Sequence, residues 1–359
     1  MLMGLVIHAP MLFWVPDFAK VFGIDNIAPA EEWVNVIGRF ISSWRMPVFF
    51  LLSGFFAILV IERKGTSQFL RDRVIRVGLT CLVFSSLYDI SDGSFDYTTL
   101  HLWFLYELMI FALFFSLLYR LKIIKDLLCI KMPPKIGFIV VLWLISTVPL
   151  AYILNNSWHP SALKVPTTYF DLKIGNLFYH FSYFLVGVIL YSNQNIFIKI
   201  KKTKAILVLG VLSISAFFLR LYSDHLTIGQ VENLSEVAQT QFDPMLVFFN
   251  SVMIGINSTF WCLFFIGLAS KFIQSNSAVI RWLVELSYPI YIIHIIPITM
   301  MSAVFYHAGL SQLTILPLAV ITGFFVCVIL YYIFIKFTPL NWLINGYSKS
   351  SLKIKFLGV

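Results

Sequence analysis

Six ionisable side chains stand within or at the ends of long apolar runs: His8, Arg45, Glu107, His180, Glu285 and His294. A charge at membrane depth costs roughly 2.5–3.5 kcal/mol on insertion scales, so those that persist there mark sites by default. Their chemistry is readable from type. An imidazole takes a proton from a hydroxyl near working pH. An arginine binds phosphate or steadies an oxyanion. Spacing adds to this. Ser287, Tyr291 and His294 fall at i, i+4 and i+7, one stripe of a helix; Trp103 and Glu107 are one turn apart; Arg45, Phe49 and Ser53 share a face. Such stripes face the interior of a bundle, because lipid satisfies no polar group. Arg45 and Glu107, opposite in sign, are expected to neutralise one another. His8 is the only ionisable side chain of its run.

Each residue also has a plainer explanation. An intramembrane histidine can simply bond a neighbouring helix, Arg45 can snorkel to the outer face, and Glu107 can be its structural partner. His180 reads as interfacial, and Ser53-Gly54 as a point of close helix packing. No Walker loop, dinucleotide fingerprint, nucleophile elbow or metal-ligand cluster is present in the sequence, so no metal is expected. The four cysteines lack paired spacing and read as small hydrophobes. The residues alone leave a secondary transporter or flippase and a membrane transferase both open.

The elements that position these groups follow from composition. Of 359 residues, 59% are hydrophobic and 12% charged, against about 25% charged in soluble domains. Apolar runs of roughly 18 residues or more recur, the length that crosses a bilayer. Ten spans are expected, at 1–16, 34–61, 74–88, 100–119, 136–154, 176–192, 204–222, 245–270, 282–306 and 313–336. The fold class is therefore an all-α integral membrane protein, about ten transmembrane helices in one bundle. The longest polar connection reads as 223–243. Lysine and arginine collect in alternate loops, which hold 20 of the 26 basic residues, and the intervening loops are acidic. Basic loops are cytoplasmic, which puts both termini on that side. The net charge of +9 then faces anionic lipid and gives no reason to expect nucleic acid.

Read in order, these segments resemble the membrane-bound acyltransferase-3 family. The resemblance rests on a first-helix His (His8), then Trp44-Arg45-Met46-Pro47-Val48-Phe49-Phe50-Leu51-Leu52-Ser53-Gly54, then an arginine-rich turn (Arg71, Arg73, Arg76), then His101-Leu102-Trp103-Phe104-Leu105, and finally Ser287-Tyr288-Pro289-Ile290-Tyr291-Ile292-Ile293-His294. It runs from the first span to the tenth, and is nearest to the glucan biosynthesis protein C type. The arginine that the family places ahead of its first-helix histidine would fall before Met1, so the first helix is expected to be N-terminally truncated.

The resemblance implies one acyltransferase-3-type transmembrane domain over 1–359 in a bacterial inner membrane. It implies transfer of an acetyl or succinyl group from cytoplasmic acyl-CoA to a hydroxyl of an extracytoplasmic glycan, with no bound cofactor. His8 would activate the acceptor hydroxyl as general base or relay the acyl group, and Arg45 would orient the donor. Ser53, Trp103, Glu107, Tyr291 and His294 would line the cavity, and Arg71, Arg73 and Arg76 would attract the donor phosphates. Membrane lipid, acyl-CoA and glycan are the partners it implies. The oligomeric state is not legible.

Overall fold

The computed structural model describes residues 2–91, 96–128, 133–158, 163, 165–232, 243–273 and 277–346. Asp92, Lys131, Glu236, Lys349, Lys353 and Lys355 of the charge reading, and Cys129, lie outside these. Among the described residues every named element is helical, and the one β feature is an isolated bridge between Thr98 and Thr168.

Seven helical stretches are long and apolar enough to cross a membrane: Glu32–Lys64, Leu100–Arg120, Pro134–Leu154, Ile174–Ser192, Thr203–Thr227, Pro244–Phe272 and Gln312–Ile335. An eighth is a pair, Ala278–Ile293 and Ile295–His307, bent by 76° at the break. These eight coincide with eight of the ten expected spans. The other two fall short. The run 1–16 contains Pro10 and Pro16, which lack a backbone donor and clash with the preceding turn. It forms α1 (Met3–His8), α2 (Met11–Trp14) and α3 (Pro16–Lys20). At 1.5 Å per residue, Met3–Trp14 covers only about 18 Å, against about 30 Å of hydrocarbon. The run 74–88 is a π-helical turn, Val74–Leu79, followed by a twelve-residue helix, Thr80–Ser91.

The remaining helices, in chain order, are α4 (Glu32–Lys64), α5 (Thr66–Arg73), α6 (Thr80–Ser91), α7 (Trp103–Arg120), α8 (Ile123–Leu128), α9 (Pro134–Leu154), α10 (Ile174–Ser192), α11 (Asn195–Ile200), α12 (Thr203–Glu232), α13 (Pro244–Phe272), α14 (Ala278–Ile293), α15 (Ile295–His307), α16 (Gln312–Leu330) and α17 (Leu340–Ile344). The expected 223–243 loop is shorter than its polarity suggested, because α12 runs on to Glu232. Asp224 is buried on that helix, 3.6 Å from Arg220 at i−4.

The chain divides into two compact units. Unit 1 comprises Met1–Ser42, Asp72–Phe95 and Ser275–Val359; unit 2 comprises Ser43–Arg71 and Asp96–Gln274. In unit 1, α15 packs on α16, and α1 packs on both. A small apolar core of Leu12, Ala19, Ile24 and Ala303 seats the α2–α3 corner. In unit 2, α13 packs against α12 and α9, and α9 against α10. The C-terminal part of α4 meets α10 backbone to backbone. A Cβ on Gly54 would lie 1.9 Å from the Phe184 carbonyl oxygen, and one on Gly187 would lie 1.9 Å from that of Leu51. Only glycine permits that approach.

Candidate active site

In unit 1 the site forms where two helices break. Pro297 removes the donor that the Ile293 carbonyl needs and clashes with it, while Pro289 weakens the turn before. The chain bends by 76°, with His294 at the bend. The carbonyls bared there find side-chain donors. Tyr88 Oη donates to the Ile292 oxygen at 3.0 Å, and His294 Nδ1 to the Tyr291 oxygen at 2.6 Å. A carbonyl only accepts, so Nδ1 carries the proton, and in the neutral ring the lone pair lies on Nε2. His294 is fully buried and Tyr291 almost so.

His8 ends α1, just before Pro10 breaks the chain again. Ser302 Oγ donates to the Ala9 oxygen at 2.8 Å, which ties this second break to α15. The His8 and His294 rings lie 5.1 Å apart, centroid to centroid, tilted by 54°. Gly4, one turn before His8, faces the same partner: a Cβ there would lie 3.2 Å from His294 Nε2 and 3.4 Å from Tyr291 Cδ2. Thus His8, Tyr291 and His294, expected to share a cavity, do come together.

Unit 2 holds a second group. Glu107 on α7 is fully buried, and its Oε2 accepts from His180 Nδ1 of α10 at 2.6 Å. Phe50 and Trp103 each stack on the His180 ring, at 4.6 and 5.6 Å. This corrects one expectation: Glu107 pairs with the buried His180 instead of with Arg45. The inward face of α10 carries the imidazole beside α7, where Nδ1 satisfies one oxygen of the buried Glu107 carboxyl group. Arg45 is half-buried on α4, with Nε and Nη1 shielded from solvent. Ser53 Oγ donates to its own helix at the Phe49 oxygen, 2.8 Å, beside the Gly54 contact.

The three arginines differ in their surroundings. Arg71 is exposed at the end of α5 and belongs to unit 2; Arg73 and Arg76 belong to unit 1. Arg76 Nε donates to the Ile344 carbonyl at 3.2 Å, and its own carbonyl accepts from Tyr288 Oη. It lines a cavity of about 730 Å³ with Arg281, Glu285, Lys336, Asn341 and Asn345. Among the described residues its ionisable lining is Arg76, Arg281, Lys336 and Glu285.

A family model described as an acyltransferase domain, of the acyltransferase-3 type, matches residues 1–332. The chain belongs to the acyltransferase-3 family. No curated protein and no solved structure matches it. It is therefore a multi-pass membrane acyltransferase, and its matched region holds both histidine groups and all of the cavity's residues except Lys336, Asn341 and Asn345. Sequence reasoning missed His180 as the partner of Glu107, the Arg220–Asp224 pair, and the convergence of Arg281 and Lys336 on Arg76. The i, i+4 spacing of Arg220 and Asp224 was a usable signal. Nothing local announced the other two, which rest on contacts more than 70 residues apart.

Proposed function

We propose that this acyltransferase moves an acetyl or succinyl group from cytoplasmic acyl-CoA to a hydroxyl of an extracytoplasmic glycan, of glucan type. It would act in the bacterial inner membrane with both termini cytoplasmic. The reading is carried by the His8–His294 pair at the broken span. At 5.1 Å between centroids, one hydroxyl placed between the two rings can reach both. His8 takes the hydroxyl proton, the hydroxyl oxygen bonds to the thioester carbonyl carbon, the C–S bond breaks, and the proton passes to the departing thiolate. The products are the ester and free thiol. His294, with Nδ1 fixed on the Tyr291 carbonyl, presents Nε2 to the same space. The donor's phosphates would take the cavity of Arg76, Arg281 and Lys336, which supports the placing of the donor on the basic side.

The test is acylated-glucan production in cells lacking their own enzyme, read by mass spectrometry. His8→Ala should abolish the product while leaving the protein in the membrane; wild-type product from that variant would remove His8 from the mechanism. An acyl-protein adduct, sensitive to hydroxylamine and accumulating without acceptor, would make His8 a carrier instead of a base. Glycan uptake into proteoliposomes without any donor would favour a transporter.

A further inference from the structure

Unit 1 holds another cavity, of about 420 Å³, on the far side of α1 from the histidine pair. Val6 lines it. That residue stands two positions, or about 200° of helix, from both Gly4 and His8, which face His294. The other walls are Pro10 and Trp14 beyond the α1 break, the start of α4 from Trp33 to Gly38, and α16 between Leu313 and Ile321. Three local features keep this space open. Pro10 stops α1, Pro317 removes a helix donor within α16, and Gly38 has no side chain. The Trp14 indole lies in the notch so left: a Cβ on Gly38 would stand 2.7 Å from its Cη2.

The chemistry of the walls narrows the occupant. Their side chains are aliphatic, proline or indole. Trp14 Nε1 donates to Asn35 Oδ1 at 2.8 Å and Trp33 Nε1 to Glu31 Oε2 at 2.7 Å, so both indole donors are spent. A sugar, a nucleotide or a phosphate would bury its polar groups there without partners. Water is disfavoured too, since cavities lined in this way stay dry. The rim, by contrast, is open to the outside: Ile37 is 41% exposed, Ile321 54% and Leu313 67%. These side chains stand on helices long and apolar enough to cross the membrane, so they meet hydrocarbon. The cavity is thus continuous with the lipid-facing surface of α4 and α16, and its volume suits a small ligand.

We propose that unit 1 binds one acyl chain of a membrane phospholipid in this cavity, as a wedge behind α1. The gain is packing, because lipid tails are as apolar as leucine and no hydrophobic driving force remains between them. Met3–Trp14 is too short to span the bilayer and depends on its neighbours for position. α1 rests on α15 and α16, and α2 on α15, while the acyl chain fills the space left beside Val6, Pro10 and Trp14. Filling that space keeps His8 against His294. A phospholipid suits the place better than the tail of a lipid-linked acceptor, because the reacting hydroxyl belongs between the two rings, on the opposite face of α1. The wedge is needed whichever acyl group and acceptor the enzyme uses.

The experiment uses the full chain in phospholipid nanodiscs doped with phosphatidylethanolamine that carries a diazirine on one acyl chain. Adducts are mapped by peptide mass spectrometry after illumination. The exposed stripe of Leu207, Val211, Ile214 and Phe218 on α12 reports ordinary surrounding lipid. Peptides bearing Pro10–Trp14 and Leu313–Ile321 should carry a several-fold excess of adduct over that stripe. The excess should saturate as the probe fraction rises, whereas α12 labelling rises in proportion. Val6→Phe with Val320→Phe, at half-buried lining positions, should fill the cavity and bring labelling down to the α12 level with the unfolding midpoint kept. Native mass spectrometry of the gently extracted wild-type chain should show one retained phospholipid. Labelling of the wild type that matches α12 and never saturates overturns the proposal, whether or not the filled variant folds. So does an excess that persists in a folded filled variant. A retained polyprenyl-linked glycan in place of phospholipid overturns it in favour of an acceptor tail, and protection of these peptides by a second copy of the chain overturns it in favour of a dimer contact.

Discussion

Gly4→Ala should cost this enzyme activity without costing it its fold. Gly4 and His8 are one turn apart on α1, and both face His294. The added methyl would lie 3.2 Å from His294 Nε2, 3.5 Å from Cε1 and 3.4 Å from Tyr291 Cδ2. Those distances ask the neighbours to yield by only a few tenths of an ångström. Replacing glycine by alanine within a helix gains up to about 1 kcal/mol, which offsets the crowding, so the unfolding midpoint should hardly change. Chemistry is less tolerant. A reacting oxygen must come within about 2.6–3.2 Å of the imidazole nitrogen, and the methyl fills that shell on the α1 side. An oxygen displaced by about 1 Å loses on the order of 100-fold in rate, close to 2.7 kcal/mol of barrier. The assay is the initial rate of acyl transfer in isolated membranes, beside thermal unfolding of the purified chain. Gly137→Ala, where no atom lies within 4 Å of the new Cβ, is the control. A Gly4→Ala enzyme at the wild-type rate, or one whose rate falls only as far as its folded fraction, would refute the placing of the acceptor hydroxyl between His8 and His294.

Two further outcomes follow from distances already given. Gly54→Ala and Gly187→Ala each place a methyl 1.9 Å from a carbonyl oxygen of the facing helix. The α4–α10 contact must open by more than 1 Å, and each should destabilise by 3 kcal/mol or somewhat more, the top of the usual ~1–3 kcal/mol for overpacking, seen as a loss of folded protein in membranes. Arg281→Gln and Lys336→Gln, which remove cations from the 730 Å³ cavity, should raise the KM for acyl-CoA with little change in acceptor KM. That effect should shrink as salt is added; a salt-independent rise would point to lost packing instead of lost attraction.

Much of the membrane architecture was legible in the sequence because lipid imposes a blunt rule: an apolar run of sufficient length must be helical. That rule located eight of the spans. It failed over 1–16, which Pro10 and Pro16 divide, and over 74–88, a π-helical turn and a twelve-residue helix, and it gave no sign of the bend before Pro297. The stripe of Tyr291 and His294 was readable from helical spacing, and His8 from its isolation. Their meeting was not, because it depends on contacts such as Ser302 to Ala9, 293 residues apart. Charge reasoning paired Glu107 with Arg45 by sign. The protein pairs it with His180, 73 residues on, because burial and ring stacking decide the matter and neither has a local signature. Asp224 was taken for a loop residue because it is acidic, whereas its salt-bridge partner one turn earlier lets α12 continue past it.

The broken span itself argues for an enzyme arrangement. Within hydrocarbon, each backbone carbonyl left without a donor costs several kcal/mol, so a break persists only where side chains replace the lost hydrogen bonds. Here the replacements are Tyr88 Oη on Ile292 and His294 Nδ1 on Tyr291, and Ser302 Oγ on Ala9 does the same at the α1–α2 break. One of those donors is the ring that faces His8. The contact that stabilises the break is therefore the same one that sets the tautomer of His294 and aims Nε2 at α1. Transporters of the inverted-repeat kind use a matched pair of broken helices to form a site that rocks. Among the described residues this chain has one bent span, tied through Tyr88 and Ser302 to its own unit. A break stapled on both sides holds a ring still, which suits a proton transfer that tolerates little misplacement.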